Sequence, residues 1–164
     1  MKYFFAVVVT AVILIVFASL YTTPHIILSR VSDNEILLIY PVQDGVVFSI
    51  KYIHSVNQSP VEETFEIHCG KIILQVLEFE DFGAGMPTEL EYGQNLIHLP
   101  SGRMRIEGFN REVNNLRYMV GHVAEFVFYI EDKRVLLSDL AEPGAVIEIS
   151  HRNLNFWRKR GVSR

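Results

Sequence analysis

Short extended runs, each closed by turn-forming residues, recur along the chain from about residue 25 onward. They are rich in β-branched and aromatic residues, and no amphipathic helical pattern interrupts them. The breaks between runs contain the turn-forming pairs Asp44-Gly45, Cys69-Gly70, Ser101-Gly102, Glu131-Asp132 and Pro143-Gly144. Because strands this closely spaced pair in antiparallel fashion, the pattern predicts an all-β domain, either an antiparallel β-sandwich or a partly closed β-barrel.

The predicted strands follow from the positions of the runs. They cover residues 26–29, 35–41, 46–54, 61–68, 71–79, 96–99, 103–109, 116–120, 123–130, 134–137 and 146–150. Charged residues alternate with Met104 and Ile106 in one of these runs, which indicates a strand with one buried face and one solvated face. Residues 126–130 are apolar on both faces and predict a strand that is buried on both sides.

The start of the chain has a different composition. Residues 3–21 carry no charge, and as a helix these 19 residues would extend about 28 Å, close to the hydrocarbon thickness of a bilayer. We predict an N-terminal transmembrane or signal helix within residues 1–24, followed by a linker over residues 22–24. The side chains that would form the membrane anchor are Phe4, Phe5, Val9, Ile13 and Phe17.

An uncleaved transmembrane helix and a cleaved signal helix would both imply export of the domain that follows. An uncleaved helix would place the protein in the cell membrane as a single-pass protein, with Lys2 in the cytoplasm and the domain on the extracytoplasmic side. Cleavage near Val16-Phe17-Ala18 would instead release a secreted or periplasmic domain. The single cysteine, Cys69, cannot form an intramolecular disulfide, and we expect it to be a buried, inert thiol.

The net charge of −4 conceals an uneven distribution. The last thirteen residues hold five of the 15 basic residues, which leaves 10 basic and 19 acidic residues, a balance of −9, in residues 1–151. We therefore divide the chain into residues 1–24, an all-β domain over residues 25–151, and a basic tail over residues 152–164. The tail is either a solvated end or a contact with an anionic membrane or an acidic partner, and nucleic acid is not an expected partner of an exported acidic domain.

A histidine and a glutamate occupy apolar positions in the run from Tyr52 to Glu66. Even-numbered positions from Val46 to Tyr52 form the more apolar face, so His54 shares that face if the strand continues. In the next run, Glu63 shares the parity of Val61 and Phe65. We predict a hairpin that brings His54 and Glu63 together, because a buried carboxylate requires a partner.

Two interpretations of the predicted His54–Glu63 pair stay open. The pair is either a structural hydrogen bond or part of a ligand-binding or catalytic site. A metal set could add His98 or His122 to the pair, but the short-spaced histidines of common metal motifs are missing, and we predict neither a metal nor a cofactor. Nucleophilic catalysis by Ser55 is disfavoured because the surrounding elbow motif of serine hydrolases is absent.

A glycine-containing turn is the second distinctive element. It reads Phe82-Gly83-Ala84-Gly85-Met86-Pro87, and it is either a tight bend that ends a strand or an anion-binding nest of backbone amides. The lysine of a phosphate-binding loop is not present in this segment.

These two elements together carry a family resemblance. The pattern His54, Ser55, Pro60, Val61 and Glu63, followed by the glycine-containing turn, resembles the bacterial domain of unknown function 1850 family. Members are small exported proteins encoded beside the fused membrane subunit of tripartite ATP-independent periplasmic (TRAP) transporters whose solute-binding protein is of the TAXI type. No established activity comes with the family. The motif positions that carry over are His54, Ser55, Pro60, Glu63, Gly83, Gly85 and Pro87.

The resemblance implies an accessory role in transport. We expect a membrane-anchored extracytoplasmic protein that contacts the TRAP transporter membrane subunit or the TAXI solute-binding protein, and we favour a role without catalysis. The alternative is an exported small-ligand or metal-binding protein, or a hydrolase, that uses His54 and Glu63. Exposed apolar residues around the motif would favour the first role, and a concavity with convergent polar groups would favour the second.

Overall fold

The computed structural model describes residues 2–82, 87, 89–122 and 125–155. Gly83, Gly85 and the tail residues 156–164 lie outside these ranges, as does the side chain of Phe17. One helix, α1 (Lys2–Leu20), precedes the strands of the domain. Within the part of the chain that the structure describes, no helix combines the length and the apolar character needed to span a membrane.

Eleven described strands follow α1 along the chain. They are β1 (Thr22–Arg30), β2 (Ile36–Pro41), β3 (Val47–Ile53), β4 (Pro60–His68), β5 (Lys71–Phe79), β6 (Asn95–His98), β7 (Met104–Glu112), β8 (Leu116–Met119), β9 (Val127–Ile130), β10 (Lys133–Leu136) and β11 (Val146–Asn155). A 3₁₀ helix (Leu137–Asp139) lies between β10 and β11.

The described strands form two antiparallel sheets, which confirms the all-β prediction. One sheet has four strands in the order β2-β1-β11-β8, and the other has seven in the order β10-β9-β3-β4-β5-β7-β6. Each predicted strand overlaps an observed one. The turn-forming pairs therefore predicted the connections between strands correctly, because hairpin turns need residues that tolerate the backbone angles of the turn.

The first and last strands of the domain, β1 and β11, pair with each other. Both strands extend into segments that the sequence predicted to be a linker and a tail. Residues 22–24 are not a linker but the start of β1, where Thr22, Thr23 and Pro24 pair with Asn155, Leu154 and Asn153. Strand β11 thus extends four residues into the segment predicted as the tail. The pairing holds because the long β1 and β11 strands form backbone hydrogen bonds along their full length, which local composition does not reveal.

The buried residues that the structure describes form two clusters. The main core draws on both sheets, with Ile26, Leu28 and Ile149 of the four-stranded sheet facing Phe48 and Phe128 of the seven-stranded one. Among the described residues, the small cluster consists of buried side chains from β4, β5 and β7: Val61, Leu77, Phe79, Met104 and Ile106. Tyr52 and Phe109 pack against both clusters and connect them.

A bulge in β5 supplies buried side chains to both clusters. Thr64 pairs with Val76 and Phe65 pairs with Leu74, so Gln75 is the extra residue. The insertion shifts the side-chain alternation, so that Leu74 and Leu77 are both buried although they are three residues apart. A period of two, read directly from the sequence, would place them on opposite faces.

Gly108 marks a close approach within the seven-stranded sheet. Its φ is +86°, and a Cβ at this position would lie 2.3 Å from the carbonyl oxygen of Gly93. Only glycine fits both constraints. This contact holds the segment before β6 against β7.

Candidate functional site

Glu63 lies on β4 where the main core meets the small cluster. Its neighbours on the same face are Val61, which belongs to the small cluster, and Phe65, which belongs to the main core. Across the sheet it pairs with Ile50 of β3 and Leu77 of β5. The strand alternation therefore aims a carboxylate inward among buried apolar residues, as the sequence parity predicted.

Tyr118 of the opposite sheet provides the hydrogen bond that this carboxylate needs. The Tyr118 hydroxyl donates to Glu63 Oε2 at 2.6 Å, and it reaches across from β8, which is one of the two edge strands of the four-stranded sheet. Burial raises the pKa of Glu63, while the Tyr118 hydrogen bond and the charge of Arg111 act in the opposite direction. Burial and the nearby Glu63 charge raise the pKa of Tyr118.

The Tyr118 ring belongs to an aromatic group with Tyr52 and Phe126. The Tyr52 ring stacks on Phe126 with centroids 4.9 Å apart, and Phe126 lies 5.8 Å from the Tyr118 ring. Burial, followed by the charge of Glu63, raises the pKa of Tyr52. The three rings line one cavity together with Glu63.

Two cavities share Tyr52 and Glu63 in their walls. The first has a volume of about 610 Å³ and is also lined by Pro87, Gln94, Phe109 and Arg111. The second has a volume of about 530 Å³ and is also lined by His54, Ser55, Tyr118 and Met119. Glu63 therefore contributes to two open concavities, one on the side of the small cluster and one at the edge strand β8.

The predicted contact between His54 and Glu63 is wrong. The His54 amide donates to the Ser59 carbonyl at 2.9 Å, so His54 is opposite Ser59, whereas Glu63 is opposite Ile50. Four residues of strand separate Ser59 from Glu63, which corresponds to about 13 Å at the usual rise per residue. Side-chain parity predicted the correct face of β4 for Glu63. It did not determine which residue of β3 lies opposite Glu63 in the hairpin.

His54 organises the β3–β4 loop instead. Its Nδ1 accepts hydrogen bonds from the Val56 and Asn57 amides, each at 3.4 Å, and its carbonyl accepts from the Gln58 amide at 2.9 Å. The imidazole therefore caps a turn, much as Asx side chains do. A general base oriented by Glu63, one of the options left open by the sequence, is not assembled here.

Two of the other motif positions line these cavities, Ser55 the second and Pro87 the first. Ser55 is exposed in the turn, Pro60 begins β4, and the half-buried Pro87 shares the first cavity with Glu63. Gly83 and Gly85 lie outside the described residues. The structure thus brings Pro87 of the second motif element beside Glu63 of the first, although the two are separated by most of β4 and all of β5.

Sequence reasoning missed two residues of this site. Arg111 falls between the predicted strands 103–109 and 116–120, yet it belongs to β7 and lines the first cavity. Its guanidinium carbon lies 5.7 Å from the Phe109 ring centroid. Tyr118 was treated only as part of a strand. The available signal was its alternation with exposed Arg117 and Met119, which places a hydroxyl group on a buried face.

The family comparison agrees with the resemblance carried by the motifs. The model of the family described as "Domain of unknown function (DUF1850)" matches residues 48–137, which is more than half of the chain. The chain belongs to this family. No curated protein and no solved structure matches it significantly.

Proposed function

We propose that this protein is an extracytoplasmic accessory protein of a TRAP transporter with a TAXI-type solute-binding protein, held at the membrane by α1 and acting through protein–protein contact. Family membership supports the proposal, because the resemblance implies that setting. The proposed partner is the transporter membrane subunit or the solute-binding protein. The proposed contact lies at the β3–β4 loop, residues 54–59, which we call the motif loop.

The observation that carries the proposal is a set of exposed apolar side chains beside the motif loop. Ile53 is 41% exposed, Val56 is 67% exposed and Met119 is 60% exposed. Ile53 and Met119 line the same cavity, and Val56 lies in the turn that His54 caps. We refer to Ile53, Val56 and Met119 as the loop surface. Clustered exposed apolar residues are typical of protein contact sites.

The composition of α1 supports attachment to the membrane. Large apolar side chains are exposed on all sides of this helix, and among the predicted anchor residues Phe4, Phe5, Val9 and Ile13 are exposed. Near its end, the Asn155 side chain donates to the Ser19 carbonyl at 3.4 Å, which ties the helix to the end of β11. Burial of such a helix in lipid would hold the domain close to membrane subunits.

The experiment is affinity purification of the tagged full-length protein from native-host membranes, followed by identification of the proteins that co-purify. Recovery of TRAP membrane subunits or the TAXI protein is the expected result. Their consistent absence from the wild-type sample would exclude the accessory role. A parallel extraction of membranes at high pH, which removes peripheral proteins, tests attachment by α1.

Matched variants then locate the contact. We expect the double variant Ile53→Asp, Val56→Asp to lose the co-purifying subunits, because two charges would be desolvated in the interface. The control is Val47→Asp at the opposite end of β3, where Val47 is 52% exposed. Equal loss in the control would show that the loop surface is not the contact.

The cavities around Glu63 favour a second candidate function, the binding of a small polar ligand. A carboxyl group with a raised pKa and the guanidinium of Arg111 line the same cavity, so the site offers convergent polar groups within apolar walls. The test is a thermal-shift screen of the full-length protein with small amines, carboxylates and amino acids. A stabilising compound whose effect disappears in Glu63→Gln, but not in Glu66→Gln on the opposite face of β4, would support this function. Effects equal in both variants would contradict it.

A further inference from the structure

Two loops meet at the far end of β4 from the motif loop. The β2–β3 loop is fixed to the end of β4 because the Gly45 amide donates to the Ile67 carbonyl at 2.7 Å and the Ile67 amide donates to the Val46 carbonyl at 2.9 Å. Asp44 accepts a hydrogen bond from the Cys69 amide at 2.6 Å through its Oδ1 atom.

Three side chains with different metal-ligating atoms converge there. The ligand atoms of Asp44, His68 and Cys69 all lie within 4.8 Å of one another, and all three residues are exposed. They come from two separate segments of the chain, the β2–β3 loop and the turn that connects β4 to β5. Their convergence therefore depends on the fold and not on sequence proximity alone.

The exposure of Cys69 corrects the prediction of a buried, inert thiol. Cys69 and Gly70 both have positive φ, +49° and +76°, and form the hairpin turn between β4 and β5. Such a turn projects its side chains toward solvent. An accessible thiol is open to oxidation, and metal ligation would protect it.

We propose that Asp44, His68 and Cys69 form a binding site for a divalent transition metal of the zinc type. A thiolate and an imidazole favour zinc over magnesium or calcium, which take oxygen ligands. Zinc bond lengths of about 2.0 to 2.3 Å place tetrahedral ligand atoms about 3.3 to 3.8 Å apart. Small side-chain rotations would bring the three ligand atoms to this spacing, and solvent would supply the fourth position.

The site differs from the metal set considered in the sequence. That set combined His54 and Glu63 with His98 or His122, and in the structure the Nδ1 of His54 is engaged by loop amides. Lys71 is the nearby cation to consider. Its ammonium group binds the Glu112 carboxylate at 2.6 Å.

The test uses the reduced, full-length protein in detergent after removal of metals with a chelator. Titration with Zn²⁺ against a chromophoric chelator should give one bound ion per chain. Titration with Co²⁺ should give a near-ultraviolet thiolate-to-cobalt charge-transfer band, which reports ligation by sulfur. We expect Cys69→Ser to abolish the band and His68→Ala to weaken Zn²⁺ binding by at least the roughly tenfold loss that an outer-shell change can cause.

Two further variants separate ligation from folding. Asp44→Asn retains an oxygen that accepts from the Cys69 amide but removes the charge, so it should weaken Zn²⁺ binding while thermal stability stays near that of the wild type. His98→Ala removes an exposed histidine on β6 and should leave binding unchanged. The site would be excluded if Co²⁺ gave no thiolate band, or if His98→Ala weakened binding as much as His68→Ala.

Discussion

The main core and the small cluster are buried in different ways, and the functional site lies where they meet. Side chains from both sheets fill the main core, whereas the buried members of the small cluster all come from the seven-stranded sheet. The four-stranded sheet ends at β8, whose Tyr118 reaches Glu63. A sheet of four strands cannot cover one of seven, so its edge leaves room for a polar group and for open cavities.

The difference between the two clusters explains why β4 tolerates a glutamate at position 63. Within the main core an ionised carboxylate would be costly. At the boundary between the clusters, the Tyr118 hydroxyl of the four-stranded sheet donates a hydrogen bond to Glu63. The charge of Arg111 also interacts favourably with the Glu63 carboxylate. A buried polar group that receives a hydrogen bond costs much less than an unpaired one.

The largest expected effect contrasts the two clusters directly. Phe128 in the main core and Phe79 in the small cluster are both fully buried. We expect Phe128→Ala to lower the free energy of unfolding by about 4 to 5 kcal/mol and Phe79→Ala by about 3 kcal/mol, because the less enclosed cluster can relax around the lost ring. Chemical denaturation of the full-length protein in detergent measures both. Equal losses would show that the small cluster is packed as tightly as the main core.

The second effect concerns the contact between the sheets at the boundary. Tyr118→Phe removes the donor to Glu63, and we expect a loss of about 2 kcal/mol in the free energy of unfolding at neutral pH. In a Glu63→Gln background the loss should be smaller, because the bond to the charged group is already gone. The control is Tyr52→Phe, which keeps the ring stacked on Phe126. If the two tyrosine variants lost equal stability, the Tyr118 hydrogen bond would not be the cause.

The strands, and the face on which Glu63 lies, were predictable because they depend on local patterns. Turn residues marked the strand ends, and the parity shared by Val61, Glu63 and Phe65 showed that the carboxylate points inward. These features repeat within a few residues, so one sequence contains enough information to locate them.

The composition of the site was not predictable because it depends on contacts between distant segments. Tyr118 is 55 residues from Glu63, and nothing near either residue indicates that they meet. His54 was assigned to the wrong partner because the face on which a side chain lies does not change when one strand shifts along its neighbour by an even number of residues. The bulge at Gln75 changes the alternation within β5 without a local signal.

The smallest expected effect is a change in the pH dependence of stability. Because burial raises the pKa of Glu63, the folded protein retains that proton at pH values where the unfolded chain has released it. Stability therefore declines as the pH rises from the ordinary value of a glutamate through the raised pKa of Glu63, and the cost is complete above it. Glu63→Gln should lack this decline, so its stability relative to the wild type should increase across that window and then stay constant.

The measurement is the free energy of unfolding of wild type and Glu63→Gln across the acidic to neutral range. Glu66→Gln is the matched control, because Glu66 lies on the opposite face of the same strand, where Gln75 donates to it at 3.0 Å. Subtracting the pH dependence of the Glu66→Gln effect on the free energy of unfolding from that of the Glu63→Gln effect leaves the contribution specific to Glu63. A difference between wild type and Glu63→Gln that does not vary with pH would mean that the boundary is as well solvated as the surface, and the contrast between the two clusters would then not account for the site.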